Sequence, residues 1–293
     1  MSPVERVFIV GGTGNIGTKT VNDLLDNQIA ITLFARNVKK VSTLFPNGGD
    51  LLNVLQGDLQ DISPIKEGIK GHTRLLLLVH DFASFTAIKK TIATYAYDAG
   101  VKQIVDISSS AVNLGWRTSA IGAIHYSGEK AIFDIPNRGY FVALRPARFM
   151  SNMLRDRPIA NDGIYTTAPI DFRQGYISPN DIGAVAAVVL REDVDKHADA
   201  TYNLTGDIIT PRQQTDITSR LIGKKVTYHQ ISAAEMYNNM MSTGWLAHPF
   251  VLDLVDHDGI ENNLTITPSI EILLGRKPET AEEYLALNKD KIL

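Results

Sequence analysis

The chain has 293 residues, 44% of them hydrophobic and 21% charged, with a formal charge of −3 and a mean hydropathy of −0.04. These values exclude a disordered or fibrous chain, and 29 Lys and Arg against 32 Asp and Glu leave no basic surplus for a nucleic-acid backbone. A cysteine count of zero excludes disulfides, thiolate metal sites and cysteine nucleophiles.

From Met1 to Arg6 the sequence shows no long apolar h-region of a secretory leader. The longest apolar runs, 75–79 and 182–190, fall short of the roughly 20 residues of a membrane helix. A cytoplasmic protein with neither membrane nor nucleic-acid partners is expected. The first half alternates short apolar strands at 7–10, 31–35, 54–56, 75–79, 104–107 and 141–144 with helical faces. One such face is Ile16, Thr20, Leu24 and Leu25; another is Phe85, Ile88, Ile92, Tyr95 and Ala99, stopped by Gly100. Strands without polar alternation are buried on both faces, so the pattern predicts an α/β Rossmann fold with a doubly wound parallel sheet over residues 1–150. Residues 151–293 read as a smaller α/β C-terminal substrate region packed on that sheet. Its helices are announced by caps: Ser178-Pro179-Asn180-Asp181, Thr210-Pro211-Arg212-Gln213, Ser232 with Glu235, and Thr280 with Glu283.

The first strand runs into Gly11-Gly12-Thr13-Gly14-Asn15-Ile16-Gly17 and then directly into a helix pattern. Both Gly12-x-Gly14-x-x-Gly17 and Gly11-x-x-Gly14-x-x-Gly17 give a tight turn, a bare backbone for a pyrophosphate, and close helix–strand packing. A nucleoside-triphosphate loop would end Gly-Lys-Ser/Thr, whereas this one ends Gly17-Thr18-Lys19-Thr20. The second strand ends in Arg36, with Lys39 and Lys40 close behind and no carboxylate. That replaces the acceptor for a ribose 2′-hydroxyl with a donor for a 2′-phosphate, so the cofactor expected is NADP(H). Residues 111–122 lack any period and read as a substrate loop over the crevice, or as an irregular connection. Trp116, Phe149, Met150, Met153 and Trp245 are candidates for lining a substrate pocket, with ordinary core packing as their alternative. The histidines at 72, 80, 197, 229, 248 and 257 have no ligand spacing, Asp256-His257-Asp258-Gly259 reads as a polar turn, and no metal is expected.

Several stretches together resemble the NmrA-like, atypical extended-type branch of the short-chain dehydrogenase/reductase superfamily. They are the glycine loop with Arg36, Gly57-Asp58-Leu59, Ala99-Gly100-Val101, Ser108-Ser109-Ser110, and His125 with Glu129. Leu144-Arg145-Pro146, Tyr176 to Ile182, Tyr202 to Gly206 and Leu274 to Thr280 continue the resemblance over nearly the whole chain. It implies that Asp58 and Leu59 border the adenine, Val79 and His80 the central phosphate and ribose, Ser108 the nicotinamide side, and Pro146 to Phe149 the nicotinamide itself. It implies an NADPH-dependent quinone or carbonyl reductase, or a member that binds cofactor only to report redox state.

Reduction of a carbonyl needs a proton donor, which the superfamily supplies with Tyr-x-x-x-Lys and a Ser on the preceding strand. Tyr126-Ser127-Gly128-Glu129-Lys130 matches that spacing, and Ser108 lies upstream. Yet only 19 residues separate Tyr126 from Arg145, and His125 with Glu129 fits the NmrA-like pattern, with His125 in the place of the catalytic lysine. Tyr126 with Lys130, and His125, are therefore the two candidate catalytic sets. The expected function is NADPH-dependent hydride transfer to a small quinone, enone or carbonyl substrate. The alternatives are a non-catalytic NADP(H) sensor acting through a protein partner, and isomerase or lyase chemistry. A homodimer is compatible with either of the first two.

Overall fold

The computed structural model describes residues 5–115, 117–154, 163–256, 258 and 264–292. Its strands are β1 (Arg6–Val10), β2 (Ala30–Ala35), β3 (Leu52–Gln56), β4 (Arg74–Leu77), β5 (Gln103–Ile107), β6 (Tyr140–Pro146), β7 (Arg148–Phe149), β8 (Gly163–Thr166), β9 (Gln174–Ile177), β10 (Thr201–Leu204), β11 (Asp207–Ile209) and β12 (Thr227–Gln230). Its helices are α1 (Asn15–Asp26), α2 (Val38–Leu44), α3 (Ile65–Gly68), α4 (Phe85–Asp98), α5 (Ala120–Phe133), α6 (Pro179–Arg191), α7 (Val194–His197), α8 (Pro211–Ile222), α9 (Ala233–Ser242), α10 (His248–Asp256), α11 (Pro268–Leu274), α12 (Ala281–Leu287) and α13 (Lys289–Ile292).

Seven strands form one sheet in the order β10-β6-β5-β4-β1-β2-β3, and every pairing in it is parallel. The six strands expected from the first half all occur; the interior strands are buried on both faces and need a layer on each side, while β3 lies half-buried at the edge. On one face Val7, Ile9, Leu33, Leu76, Val105 and Leu144 pack under α1 and α6. On the other, Phe8, Val10, Leu75, Leu77, Ile104 and Phe141 pack under α4 and α5. The order reverses at β1, whose neighbours are β2 on one side and β4 on the other. Ligands of such sheets bind outside the carboxyl ends of the strands at that point.

Residues beyond 150 do not form a separate layer of their own. Helix α6 buries eleven of its thirteen residues against the sheet and α1, and β10 pairs with β6 at its edge. At the crossing, Thr20 Oγ1 donates to the Gly183 carbonyl (3.1 Å). A Cβ on Gly183 would lie 2.7 Å from the Ile16 carbonyl. The rest forms a small sheet β11-β9-β7 and a pair β12-β8 around Met150, Met153, Tyr176, Ile209, Ile217, Tyr284 and Leu285. Met150 and Met153, expected as pocket candidates, are thus buried core of this region.

Of the four expected caps, Thr210 and Thr280 form full boxes with Gln213 and Glu283. Ser232 accepts from the Glu235 N–H, and Ser178 from the Asn180 N–H. Asp181 does not reach back to its own cap, because its carboxylate accepts from Arg276 Nη2 (2.6 Å) and the Glu279 N–H (2.7 Å). Within 111–122, Ser110–Leu114 forms a 3₁₀ turn and Ser119 caps α5. Trp116 lies outside the described residues, as do His257 and Gly259.

Candidate functional site

The glycine loop joins β1 to α1 at the switch point, and its four glycines do four different things. Gly11 has φ +88°, and a Cβ there would lie 2.6 Å from the Leu78 carbonyl. A Cβ on Gly12 would strike Leu33. Gly17 lies against the backbone of Gly11 and Gly12, which is the close helix–strand packing expected of the last glycine. Gly14 alone of the four faces open space, with no heavy atom within 4 Å of its Cβ position. It is also the N-cap of α1, which has no side-chain cap and no acidic residue in its first turn. The first-turn N–H groups of α1 have no side-chain cap, and with the helix dipole behind them such a helix start is suited to an anion, which a side chain at 14 would crowd. Thr13 is half-buried beside it.

Arg36, at the end of β2, is exposed, and among the described residues no carboxylate pairs with it. Asn37 caps α2 by accepting from the Lys40 N–H, which turns residues 36–40 outward at the sheet's carboxyl edge. After β3, the Asp58 carboxylate accepts from the Gln60 N–H (2.8 Å), with Leu59 packed on the core beside it. After β4, Val79 is buried and His80 exposed. Asp81 accepts from the Ala83 and Ser84 N–H groups and from Gln60 Nε2 (3.3 Å), tying the two loops together along one rim. Loops after β1, β2, β3 and β4 thus share one edge of the molecule.

The wall beyond β4 is built by α5, and here the helical period separates the candidates. His125, Gly128, Glu129 and Ile132 face inward. Tyr126 is 48% exposed, and Lys130 turns to Asp134 (2.6 Å) on the solvent side. Tyr126 and Lys130 therefore lie on the solvent side of α5, and the bond to Ser108 is made by Glu129. A residue one position along a helix is rotated by about 100°, so His125 and Glu129 occupy the inner face in their place. Ser108, directly after β5, donates through Oγ to Glu129 Oε1 (2.5 Å). The same carboxylate accepts from Arg145 Nε (2.9 Å) and Nη2 (2.5 Å). Arg145 continues to Asn113 (3.0 Å), and Asn113 to Asn203 (2.8 Å). Pro146 is buried at the end of β6, and Phe149 packs half-buried on the first core.

His125 is buried, and its Nδ1 has no partner among the described residues. Burial, and then the charge of Lys89, lower its pKa well below the usual imidazole value, so the ring is neutral at neutral pH. Phe85 meets it edge-on, with ring centroids 4.7 Å apart. Lys89 itself is fully buried, its Nζ lying 2.7 and 2.9 Å from the two Asp106 oxygens and 3.2 Å from the Ile107 carbonyl. Burial raises the Asp106 pKa, against the opposing pull of Lys89. Sequence reading passed over this pair, although a charge four residues after Phe85 and one inside an apolar strand were its signals.

The N-terminus of α5 is held from the far end of the chain. Asp253 on α10 accepts from Ser119 Oγ (2.9 Å) and from the Ala120 (2.9 Å) and Ile121 (3.1 Å) N–H groups. Phe250 on the same helix packs on Phe82 of the β4–α4 loop (5.0 Å). Among the pocket candidates, Trp245 is 62% exposed between α9 and α10. Four of the other histidines are engaged structurally: His72 with Thr32, His197 with Tyr202 and Glu192, His248 with Tyr237, and His229 stacked on Tyr165. No group of three potential metal ligands occurs among the described residues, and none of their helices is long and apolar enough to cross a membrane.

The profile of the NmrA-like family matches residues 3–285. Festuclavine dehydrogenase of Aspergillus fumigatus is 30% identical over 141 residues, which span 47% of this chain and 46% of that one. An uncharacterized oxidoreductase of Bacillus subtilis is 27% identical over 98% of this chain and 96% of its own. The crystal structure of the NADPH-dependent quinone oxidoreductase QOR2 of Escherichia coli, complexed with NADPH, superimposes with a TM-score of 0.80 at 24% identity, covering 97% and 99% of the two chains.

Proposed function

Since the chain belongs to the NmrA-like family, we propose that it is an NADPH-dependent oxidoreductase that passes hydride to a small quinone, enone or carbonyl compound. The observation that carries this reading is the bare Gly14 face at the uncapped start of α1, on the same sheet edge as the exposed Arg36. Asn15, Ile16 and Gly17 would hold the pyrophosphate, and Arg36 the 2′-phosphate. Asp58 with Leu59 would border the adenine, and Val79 with His80 the central phosphates. Ser108, Pro146 and Phe149 would flank the nicotinamide, with His125 on the facing helix. When bound, the reduced nicotinamide supplies hydride. The wall of α5 and α10 shields the acceptor from water on one side. The activities named for the Bacillus and Escherichia relatives support the reading.

A second reading is a non-catalytic NADP(H) sensor acting through a protein partner. The outward position of Tyr126 and Lys130 favours it, because the donor pair usual for carbonyl reduction is missing from the inner face.

Loss of NADPH absorbance in the presence of quinones, enones, aldehydes and ketones separates the two readings. Reduction of at least one class is expected, with Tyr126→Phe retaining most of the rate. Tight NADPH binding without turnover on any acceptor overturns the enzyme reading in favour of the sensor. Isothermal titration with NADPH and NADH tests the cofactor. A charge-assisted bond from Arg36 to the 2′-phosphate contributes about 1.5–3 kcal/mol, so a preference of about 10- to 150-fold is expected, lost in Arg36→Ala.

A further inference from the structure

Apart from the glycine loop, α1, α6 and α11 enclose a cleft of about 230 Å³. Each helix presents one stripe to it. Lys19, Asp23 and Asn27 stand at four-residue intervals along α1 and its C-cap, and Ala184, Ala187, Val188 and Arg191 at three or four along α6. Leu273 and Leu274 come from the last turn of α11, and Arg276 follows Gly275, whose left-handed φ of +66° ends that helix. The alanines and Val188 are buried and the two leucines half-buried on the core beneath, so the floor is aliphatic. Arg191 and Arg276 are exposed, so the rim is charged.

Three cations stand on that rim, and two are neutralised. Lys19 Nζ pairs with Asp23 (2.5 Å), and Arg276 Nη2 pairs with the buried Asp181 (2.6 Å). Arg191 differs: its Nη1 donates to the Asn27 amide oxygen (3.2 Å), and among the described residues no carboxylate pairs with it. Asn27 is turned for this contact, because its Nδ2 donates to the Asp23 carbonyl (2.7 Å) and leaves Oδ1 to Arg191. A guanidinium carries five N–H donors, so a neutral amide steadies Arg191 while its charge stays uncompensated. In a chain of net charge −3, this is a local excess of the opposite sign above an apolar floor.

We propose that this cleft binds a small aliphatic monocarboxylate, with its carboxylate on Arg191 and its chain on the floor of Ala184, Ala187 and Leu273. One uncompensated positive charge matches one negative charge, and the planar fork of a guanidinium matches a carboxylate bidentately. The volume lies below the roughly 300–1,000 Å³ of pockets for drug-sized ligands, which sets the occupant at the size of a short acyl chain. The assignment is independent of the reductase reading, because the residues proposed to hold cofactor lie elsewhere.

Isothermal titration of the full-length protein with sodium hexanoate is expected to give a Kd at or below about 1 mM. Acetate, which lacks the methylenes, and hexanol and hexylammonium, which lack the negative charge, should each bind at least about tenfold more weakly. Arg191→Gln is expected to weaken hexanoate at least about tenfold by removing a charge-assisted pair. Asn27→Asp leaves Arg191 in place but gives it a carboxylate, and a comparable loss is expected. Saturating NADPH should leave the hexanoate affinity unchanged, which separates this cleft from the anion-suited start of α1. No binding up to about 10 mM, equal affinity for hexanol, competition by NADPH, or full affinity in either variant each overturns the proposal. None of these results bears on hydride transfer. If Arg191→Gln does not fold, Asn27→Asp and the ligand series still decide.

Discussion

Two glycines three residues apart in the same loop have opposite relations to stability. Gly14 has φ −94° and ψ 180°, a conformation that any residue adopts, and its Cβ position is empty. Gly14→Ala is expected to fold with an unchanged melting temperature and to bind NADPH at least about tenfold more weakly, because the methyl occupies the anion cradle. Gly17→Ala would drive its methyl into the Gly11 carbonyl and the Gly12 Cα, neither of which is a flexible side-chain end. A loss of about 1–3 kcal/mol is expected, visible as a melting temperature lower by several degrees. Differential scanning calorimetry and NADPH titration on both variants check the pair. Equal affinity in Gly14→Ala would remove the cradle from the argument. The glycine spacing and the close packing of the last glycine were legible in the sequence, whereas the contacts that require Gly11 and Gly12 were not, since Leu78 and Leu33 arrive from elsewhere in the sheet.

At the scale of elements, the site wall depends on long-range carboxylates more than on local caps. Asp253 supplies the N-terminus of α5 with an anion and satisfies two backbone donors 132 and 133 residues away. Its loss in Asp253→Ala is expected to cost about 1–2 kcal/mol, and α5 carries His125 and Glu129. Asp181 does the same for the C-terminal segment: fully buried, it holds Arg276 and the Glu279 N–H, while Ser178 and Asn180 bond the Glu279 carboxylate. Asp181→Ala leaves the Glu279 N–H without its buried acceptor, and about 1–3 kcal/mol should be lost in urea unfolding. A loss within experimental error would mean that the segment is held by Ile270 and Tyr284 packing instead. The helices themselves were legible from caps and periodicity. The Asp181 partner was not, because no local rule points from residue 181 to residues 276 and 279.

For the whole molecule, three buried histidines fix the sign of the pH dependence. Burial is the largest cause lowering the pKa of His72, His125 and His197; backbone hydrogen bonds of His72 and Glu192 beside His197 work the other way. With folded-state values below the unfolded one, the unfolded chain takes up protons first as pH falls through about 6.5. Stability is therefore complete above that pH and is lost below it, at up to about 1.4 kcal/mol per pH unit for each histidine. Asp106, raised by burial, contributes with the opposite sign. Urea unfolding at pH 8 and pH 5.5 is expected to differ by about 2–4 kcal/mol in favour of pH 8. A flat profile would mean that these rings are charged in the folded protein.

The sequence by itself determined the parallel sheet, the glycine-rich turn after its first strand, and the charge at Arg36 on which the expectation of NADP(H) rests. All three are written in contiguous residues, as apolar runs, glycine spacing and the charge at one strand end. Only the tertiary structure decided which face of α5 meets the sheet. Tyr126 with Lys130 and His125 with Glu129 share the same spacing in adjacent registers, and a one-residue rotation of the helix exchanges them. Burial of Lys89 against Asp106, the Glu129–Arg145–Ser108 chain and the Asp253 cap chose the second register, because a buried charge or helix end must find its partner in space.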